Sequence, residues 1–369
     1  MSSRNPNQGY PLNIFSFERI FKGTLGLLFA ALVWYDIFHR DNFKNIVAAF
    51  MTAWHNSETL WLILAVVLMP LNWFCEVFKW QILMRNFTVL RFWAALRSIV
   101  AGVTFSLFFP NRVGEFGGRV LFLAPELRIK GTLTTFIGSW AQQFILVAFG
   151  AFGLTLYAAY SGFLYSPEKE WILVAVSLGG VALLGCFLKI SVLVNIFKHI
   201  KFLYRFPKII QNVIVIRSYR TQTLLRILAW SFIRYAIYTL QYYCIIRFFG
   251  LKVIFLKALA SIATIYLLQT GIPLPPLVGL MARGEIAIQV WGVVTQNQLI
   301  ILAATFTLWI INLIIPALLG MFFLLNLRFT KKNVSHEFEY QKTANSSILT
   351  NVDVHISSVS TLSAEVTAR

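Results

Sequence analysis

Six stretches of this chain are apolar for about the length a helix needs to cross a bilayer, roughly 20 residues at a rise of about 1.5 Å each. They run Phe21 to Phe38, Leu60 to Phe78, Leu133 to Tyr160, Trp171 to Leu188, Leu224 to Phe248 and Leu299 to Leu325. In lipid, every backbone N–H and C=O must be satisfied within a segment or by its neighbours. The sequence therefore predicts an all-α, polytopic membrane protein. Composition agrees: 58% of the 369 residues are hydrophobic, 12% are charged, and the mean hydropathy is +0.71. No small-residue cleavage site follows the first run and Asp36 stands near its end, so it reads as a retained anchor rather than a signal peptide.

Two further runs, Phe92 to Leu123 and Leu256 to Val294, are interrupted midway by Pro and Gly. Sidedness follows from the bases. The segment Lys189 to Arg220 carries seven Lys or Arg and no acid, whereas Ser161 to Glu170 sets Lys169 between Glu168 and Glu170. The first is expected in the cytoplasm and the second outside. Lys79, Arg85 and Arg91 after the second run, and Arg328, Lys331 and Lys332 after the last, agree. Both termini then fall in the cytoplasm, and six full spans fit only if each interrupted run enters and leaves on one side. The expectation is a pair of re-entrant hairpins of opposite orientation, an arrangement found in secondary transporters. Residues 1–20 read as a cytoplasmic segment, 21–327 as the membrane domain, and 328–369, rich in Ser, Thr and Asn, as a disordered cytoplasmic tail.

The tips of those hairpins hold the charges that most need explaining. Phe108 to Arg119 sets Arg112, Glu115 and Arg119 among apolar residues, with Pro110 ending a helix and Gly114, Gly117 and Gly118 permitting close backbone approach. Two guanidinium forks match the oxygens of a phosphate, and Glu115 would hold them or take part in protonation. A structural turn whose charges pair among themselves is the alternative. Gly271 to Glu285 holds Pro273, Pro275, Pro276 and Gly279, then Arg283 and Glu285 where a new helix is expected to begin. That helix start would favour an anion, and Glu285 there would suit the dipole. A solvated Pro-rich loop is the plainer alternative.

The two tips resemble the lysylphosphatidylglycerol synthase transmembrane family, also called the flippase-like domain family. Its Pro-x-Arg-x-Gly-Glu motif is matched by Pro110, Arg112, Gly114 and Glu115, with Arg119 after it. Pro273, Pro275, Gly279 and Glu285 fall in its second, Pro- and Gly-rich motif, although Pro276 and Leu277 replace the usual paired glycines and Gly284 parts Arg283 from Glu285. The resemblance covers about Phe21 to Leu325. It implies a multi-pass protein of a bacterial-type inner membrane that moves a phosphate-bearing lipid between leaflets, without the lysyl transfer that a large soluble synthase domain would supply.

Charges within the other runs form weaker groups. Arg234 lies ten residues past Leu224, about 15 Å along a helix and so near the middle of a bilayer core about 30 Å thick. Glu115, Glu285 or a bound phosphate is its expected partner, and a cavity-lining role follows. Asn72, Trp73, Glu76, Lys79 and Trp80 lie near the cytoplasmic end of the second run, and read either as a structural Glu76–Lys79 pair in an aromatic belt or as a lateral gate for a headgroup. Gln142 and Gln143 read as cavity lining or as interhelical hydrogen-bonding groups.

The 32 Lys and Arg against 14 Asp and Glu lie mainly beside apolar runs, which positive-inside topology explains better than a nucleic-acid partner. Nucleotide loops, zincin motifs and nucleophile elbows are lacking, the five His are scattered, and Cys75, Cys186 and Cys244 are far apart, so no catalytic residue, cofactor or metal site is read. Three functions stay open: a lipid flippase, a membrane-embedded transferase with Glu115 or Glu285 as base, and a non-catalytic partner of a separate synthase. The partners implied are the bilayer, an anionic or polyprenyl-phosphate lipid, and a separate synthase or a second copy of the chain.

Overall fold

The computed structural model describes residues 43–55, 58–107, 113–162, 167–188, 219–270 and 279–325, and every element among them is helical. The first apolar run, the tip residues Pro110, Arg112, Pro273 and Pro275, most of the basic segment 189–220, and both expected terminal segments lie outside the described residues. In chain order the helices are α1 (Phe43–His55), α2 (Thr59–Met84), α3 (Phe92–Ser106), α4 (Val113–Val120), α5 (Arg128–Tyr160), α6 (Pro167–Leu188), α7 (Thr221–Phe248), α8 (Phe255–Thr270), α9 (Gly279–Trp291) and α10 (Gln298–Leu325). A short 3-10 turn, Pro125–Leu127, leads into α5, and a π-helical turn, Ile310–Ile314, interrupts α10.

Three of the described helices are long and apolar enough to cross a bilayer: α2, α5 with its leading turn, and α10. Of the six complete spans expected from the apolar runs, these three meet both length and composition. α7 is long enough at 28 residues but carries Arg226, Arg234 and Arg247. α3 and α8, at 15 and 16 residues, are apolar but short of the roughly 20 residues a span requires. Each is followed in chain order by a second short helix, α4 or α9, packed back against it. The interrupted runs of the sequence thus each supply a pair of packed short helices among the described residues. α1 falls where no helix is expected: it is too short for a span and buries only Ile46 and Ala53.

Small residues set how closely these helices approach. A Cβ on Gly118 of α4 would lie 2.6 Å from Gly102 Cα and 2.7 Å from the Ala101 carbonyl oxygen, so α3 and α4 meet backbone to backbone. Ser98 Oγ donates to the Arg119 carbonyl at 2.6 Å across the same seam. On the other side of α3, Gly320 of α10 sits against the Val100 carbonyl, and Thr104 Oγ1 donates to the Ala317 carbonyl at 2.8 Å. α8 lies on α5 in the same manner, with Gly150 and Gly153 facing Leu267 and Ala263. α2 and α7 run together over most of their length, tied by Gln241 Nε2 donating to the Ala65 carbonyl at 2.8 Å and by Phe78 against Trp230. Asn297 caps α10, its side-chain oxygen accepting from the Ile300 N–H at 3.2 Å.

The α3–α4 seam gives a paired prediction. Gly118→Ala forces backbone atoms apart and should cost about 1–3 kcal/mol as an overpacked contact. Gly117→Ala, one residue earlier, meets nothing within 4 Å and should gain up to about 1 kcal/mol from helix propensity. Thermal unfolding of both variants in detergent checks the contrast; equal melting temperatures would contradict the close approach.

Candidate functional site

One face of α2 turns polar in its second half. Asn72, Glu76 and Lys79 recur at helical spacing with Trp73 and Trp80 beside them, and all five are buried. Glu76, 3% exposed, is the hub. Its Oε2 accepts from Lys79 Nζ at 2.8 Å, one turn along the same helix, and from Arg234 Nη1 of α7 at 2.5 Å. Its Oε1 accepts from Arg119 Nη2 of α4 at 2.7 Å. Arg119 Nη2 also donates to Glu115, one turn earlier on α4. Three cations from three helices therefore converge on a single carboxylate.

The group is held from outside by neutral polar residues and aromatic faces. Arg234 Nε donates to Asn72 Oδ1 at 3.0 Å, and Asn72 Nδ2 donates to Asn312 Oδ1 at 2.9 Å. Asn312 belongs to the π-helical turn of α10 and donates in turn to the Leu308 carbonyl at 3.3 Å. π turns often mark functional positions, because the extra residue re-aims a side chain. The Arg119 guanidinium lies 5.5 Å from the Trp80 ring centroid and that of Arg234 5.4 Å from the Trp73 ring, each a cation–π contact that supports a desolvated cation.

Burying so many ionisable groups is costly unless each charge is paired and hydrogen-bonded. Arg119 and Lys79 are 2% and 1% exposed, so their charges depend on Glu76 and Glu115. Three donors nonetheless lack an acceptor: Arg119 Nε, Trp73 Nε1 and Trp80 Nε1. Such an arrangement is suited to gripping an oxyanion in a dry setting. Among the described residues, no three His, Cys, Asp or Glu side chains gather as metal ligands.

Of the residues singled out in the sequence, Glu76, Lys79, Glu115, Arg119 and Arg234 come together here. Arg234 finds Glu76 and Asn72, where Glu115, Glu285 or a phosphate was the expected partner. Gly114 is buried beside Glu115, and Gly279 is buried and already helical. The helix start expected around Arg283 to Glu285 is therefore corrected: Glu285 lies beyond the first turn of α9, past the reach of the helix N-terminus. It is exposed, its Oε1 accepting from Gln289 Nε2 at 2.9 Å, while half-buried Arg283 accepts at its carbonyl from Gln269. Gln142 Nε2 bonds the Ser231 carbonyl at 3.3 Å between α5 and α7, and Gln143 is exposed. Asn72 lies in the polar group that the sequence marks out, here bridging Arg234 and Asn312. Asn312 is the member that sequence reasoning missed, because nothing in an apolar run announces a π turn there.

Compared with known proteins, residues 23–320 match the family described as Lysylphosphatidylglycerol synthase TM region. The chain belongs to that family. The match covers all the described helices except the last residues of α10, the Glu76 group included, and no soluble synthase domain is shown. No curated relative and no solved structure matches. Family and fold together make this a membrane protein tied to lipid modification or transport.

Arg234→Lys tests the geometry rather than the charge. Lysine keeps the cation but loses the Nε donor to Asn72 and the planar face on Trp73, and should cost about 1–3 kcal/mol. A double-mutant cycle with Asn72→Ala, followed by denaturation in detergent, should return a coupling of about 0.5–3 kcal/mol; additive losses would remove the pair from the network.

Proposed function

We propose that this protein moves a phosphate-bearing lipid between the leaflets of a bacterial-type plasma membrane. The observation that carries the reading is the convergence of Lys79, Arg119 and Arg234 inside a bundle of apolar helices. Ionisable groups at such depth are expensive and commonly mark a substrate path. Guanidinium groups suit a phosphate because their planar donors match its oxygens, and Trp73 and Trp80 supply faces that tolerate a desolvated cation. The headgroup would travel through the bundle while the acyl or isoprenoid tails remain in lipid. Arg112, three residues before Glu115 in the same motif, is assigned to the entry of that path.

Membership of the family supports a link to lipid chemistry, and the absence of a nucleotide loop from the sequence favours movement driven by a gradient, a potential or removal of the product lipid. The packed pairs of short helices, α3–α4 and α8–α9, support a reading as hairpins that enter from opposite sides, with six spans between cytoplasmic termini. Backbone freed at their breaks would face protein or a water-filled cavity.

Two experiments bear on this reading. Liposomes holding the purified protein and a fluorescent anionic lipid should exchange that lipid between leaflets without any change in its mass, and Arg112→Ala or Glu115→Gln should return exchange to the protein-free rate. Undiminished exchange in both variants would sink the assignment, and a lipid of altered mass would point to a transferase. For topology, a cysteine at Gln296 should react with an impermeant thiol reagent from outside and one at Asn86 from the cytoplasm; the reverse pattern would overturn the orientation.

A further inference from the structure

Glu76 sits where an anion would. We propose that its carboxylate is an internal counter-ion that occupies the phosphate-binding position of the empty protein, and that an incoming phosphate group takes Arg119 and Arg234 away from it. This rests on the lipid-phosphate reading above and assigns the part of the residue at the centre of the site.

Several independent features converge on that role. The two oxygens of Glu76 hold three charged donors, at 2.5, 2.7 and 2.8 Å, from α7, α4 and α2. A phosphate offers the same kind of acceptor with more oxygens, so any cradle that fits a carboxylate in this manner suits it as well. Arg119 is only partly used: both Glu76 and Glu115 take Nη2, whereas Nε, buried with the rest of the side chain, has no acceptor. Paired recognition of an oxyanion by a guanidinium employs two parallel N–H groups. The unpartnered Nε is the second prong of such a fork, and a carboxylate already committed to Lys79 and Arg234 leaves it unfilled. The Trp80 indole beneath the guanidinium adds a further donor without acceptor.

Charge balance points the same way. Among the described ionisable side chains of the group, three bases face two acids, an excess that an added anion reduces. Lys79 explains how Glu76 can let go: the two lie one turn apart on α2, so Glu76 keeps a paired cation when both arginines move to the phosphate. The exchange thus strands neither the displaced carboxylate nor the arginines. A competitor fixed in place also sets the affinity, since occupation of the bases for nine-tenths of the time weakens apparent binding about tenfold. A transporter benefits from such weakening, because a headgroup held too tightly would not leave.

The test uses the full chain in uncharged detergent and follows melting temperature against inorganic phosphate, phosphatidylglycerol in mixed micelles, and diacylglycerol as a phosphate-free lipid. Wild type should respond weakly to phosphatidylglycerol. Glu76→Gln should melt lower without anion, then regain stability with a half-saturating concentration about tenfold below wild type. Adding Arg119→Gln should abolish the gain, and diacylglycerol should have no effect. If Glu76→Gln does not fold, Glu76→Asp, which keeps the charge but shortens its reach, should give a smaller gain of the same sign. An unchanged or weaker anion response in these variants overturns the counter-ion role, as does a gain that survives loss of Arg119. A response to inorganic phosphate alone overturns the lipid as its source. The two readings fail separately: leaflet exchange with an unchanged anion response overturns the counter-ion only, and a strengthened anion response without leaflet exchange overturns transport only.

Discussion

The carboxylate of Glu76 is the interaction on which the rest depends. Charges inside an apolar helical bundle have little water to fall back on, so Lys79 and Arg119 are buried, and Arg234 half-buried, where Glu76 accepts from all three and Glu115 also accepts from Arg119. That acceptor fixes the relative positions of α2, α4 and α7 more tightly than apolar packing would, since lipid-exposed and protein-exposed leucines differ little in energy. Removing it would leave cations facing cations in a setting of low dielectric constant, where like charges repel strongly.

Bringing Arg119 to Glu76 requires α4 to lie deep against α3, and the glycines make that approach available. Gly102 and Gly118 allow the two backbones to touch, which carries the Arg119 side chain past α3 to α2. The same device appears on the far side of α3 at Gly320, so α3 is clasped between α4 and α10. α10 also delivers Asn312 to Asn72 from its π turn. Two glycine-lined seams, one on each side of α3, thereby link the charged hub with the polar relay.

Much of this could be read from residue order, and the remainder could not for definite reasons. Apolar length locates α2, α5 and α10, and proline and glycine in the sequence mark where α3 and α8 give way to a second short helix, because those signals are local. The motif around Glu115 and Arg119 stands out by its charge in apolar surroundings. Which helix faces which is not a local property. Periodicity puts Arg234 at mid-membrane but cannot say that α7 lies along α2, so its partner was sought in the motif tips rather than at Glu76. α1 is not among the expected spans because its thirteen residues are too few to cross a bilayer, and Asn312 carries no signal because a π turn leaves no compositional trace.

The hub joins elements from opposite ends of the chain: α2 and α4 from its first half, α7 and, through Asn312, α10 from its second. Any opening of the bundle that admits a headgroup between them must part Glu76 from at least one arginine. Parting them in lipid without a replacement would expose a bare charge at a cost of several kcal/mol. An anionic headgroup removes that cost because it arrives with the missing charge, whereas a neutral lipid of similar shape does not. If the protein carries a lipid phosphate as proposed, these ion pairs would discriminate among lipids, because separation costs least with a molecule able to take over the role of Glu76. Selectivity for phosphate would then follow from one carboxylate.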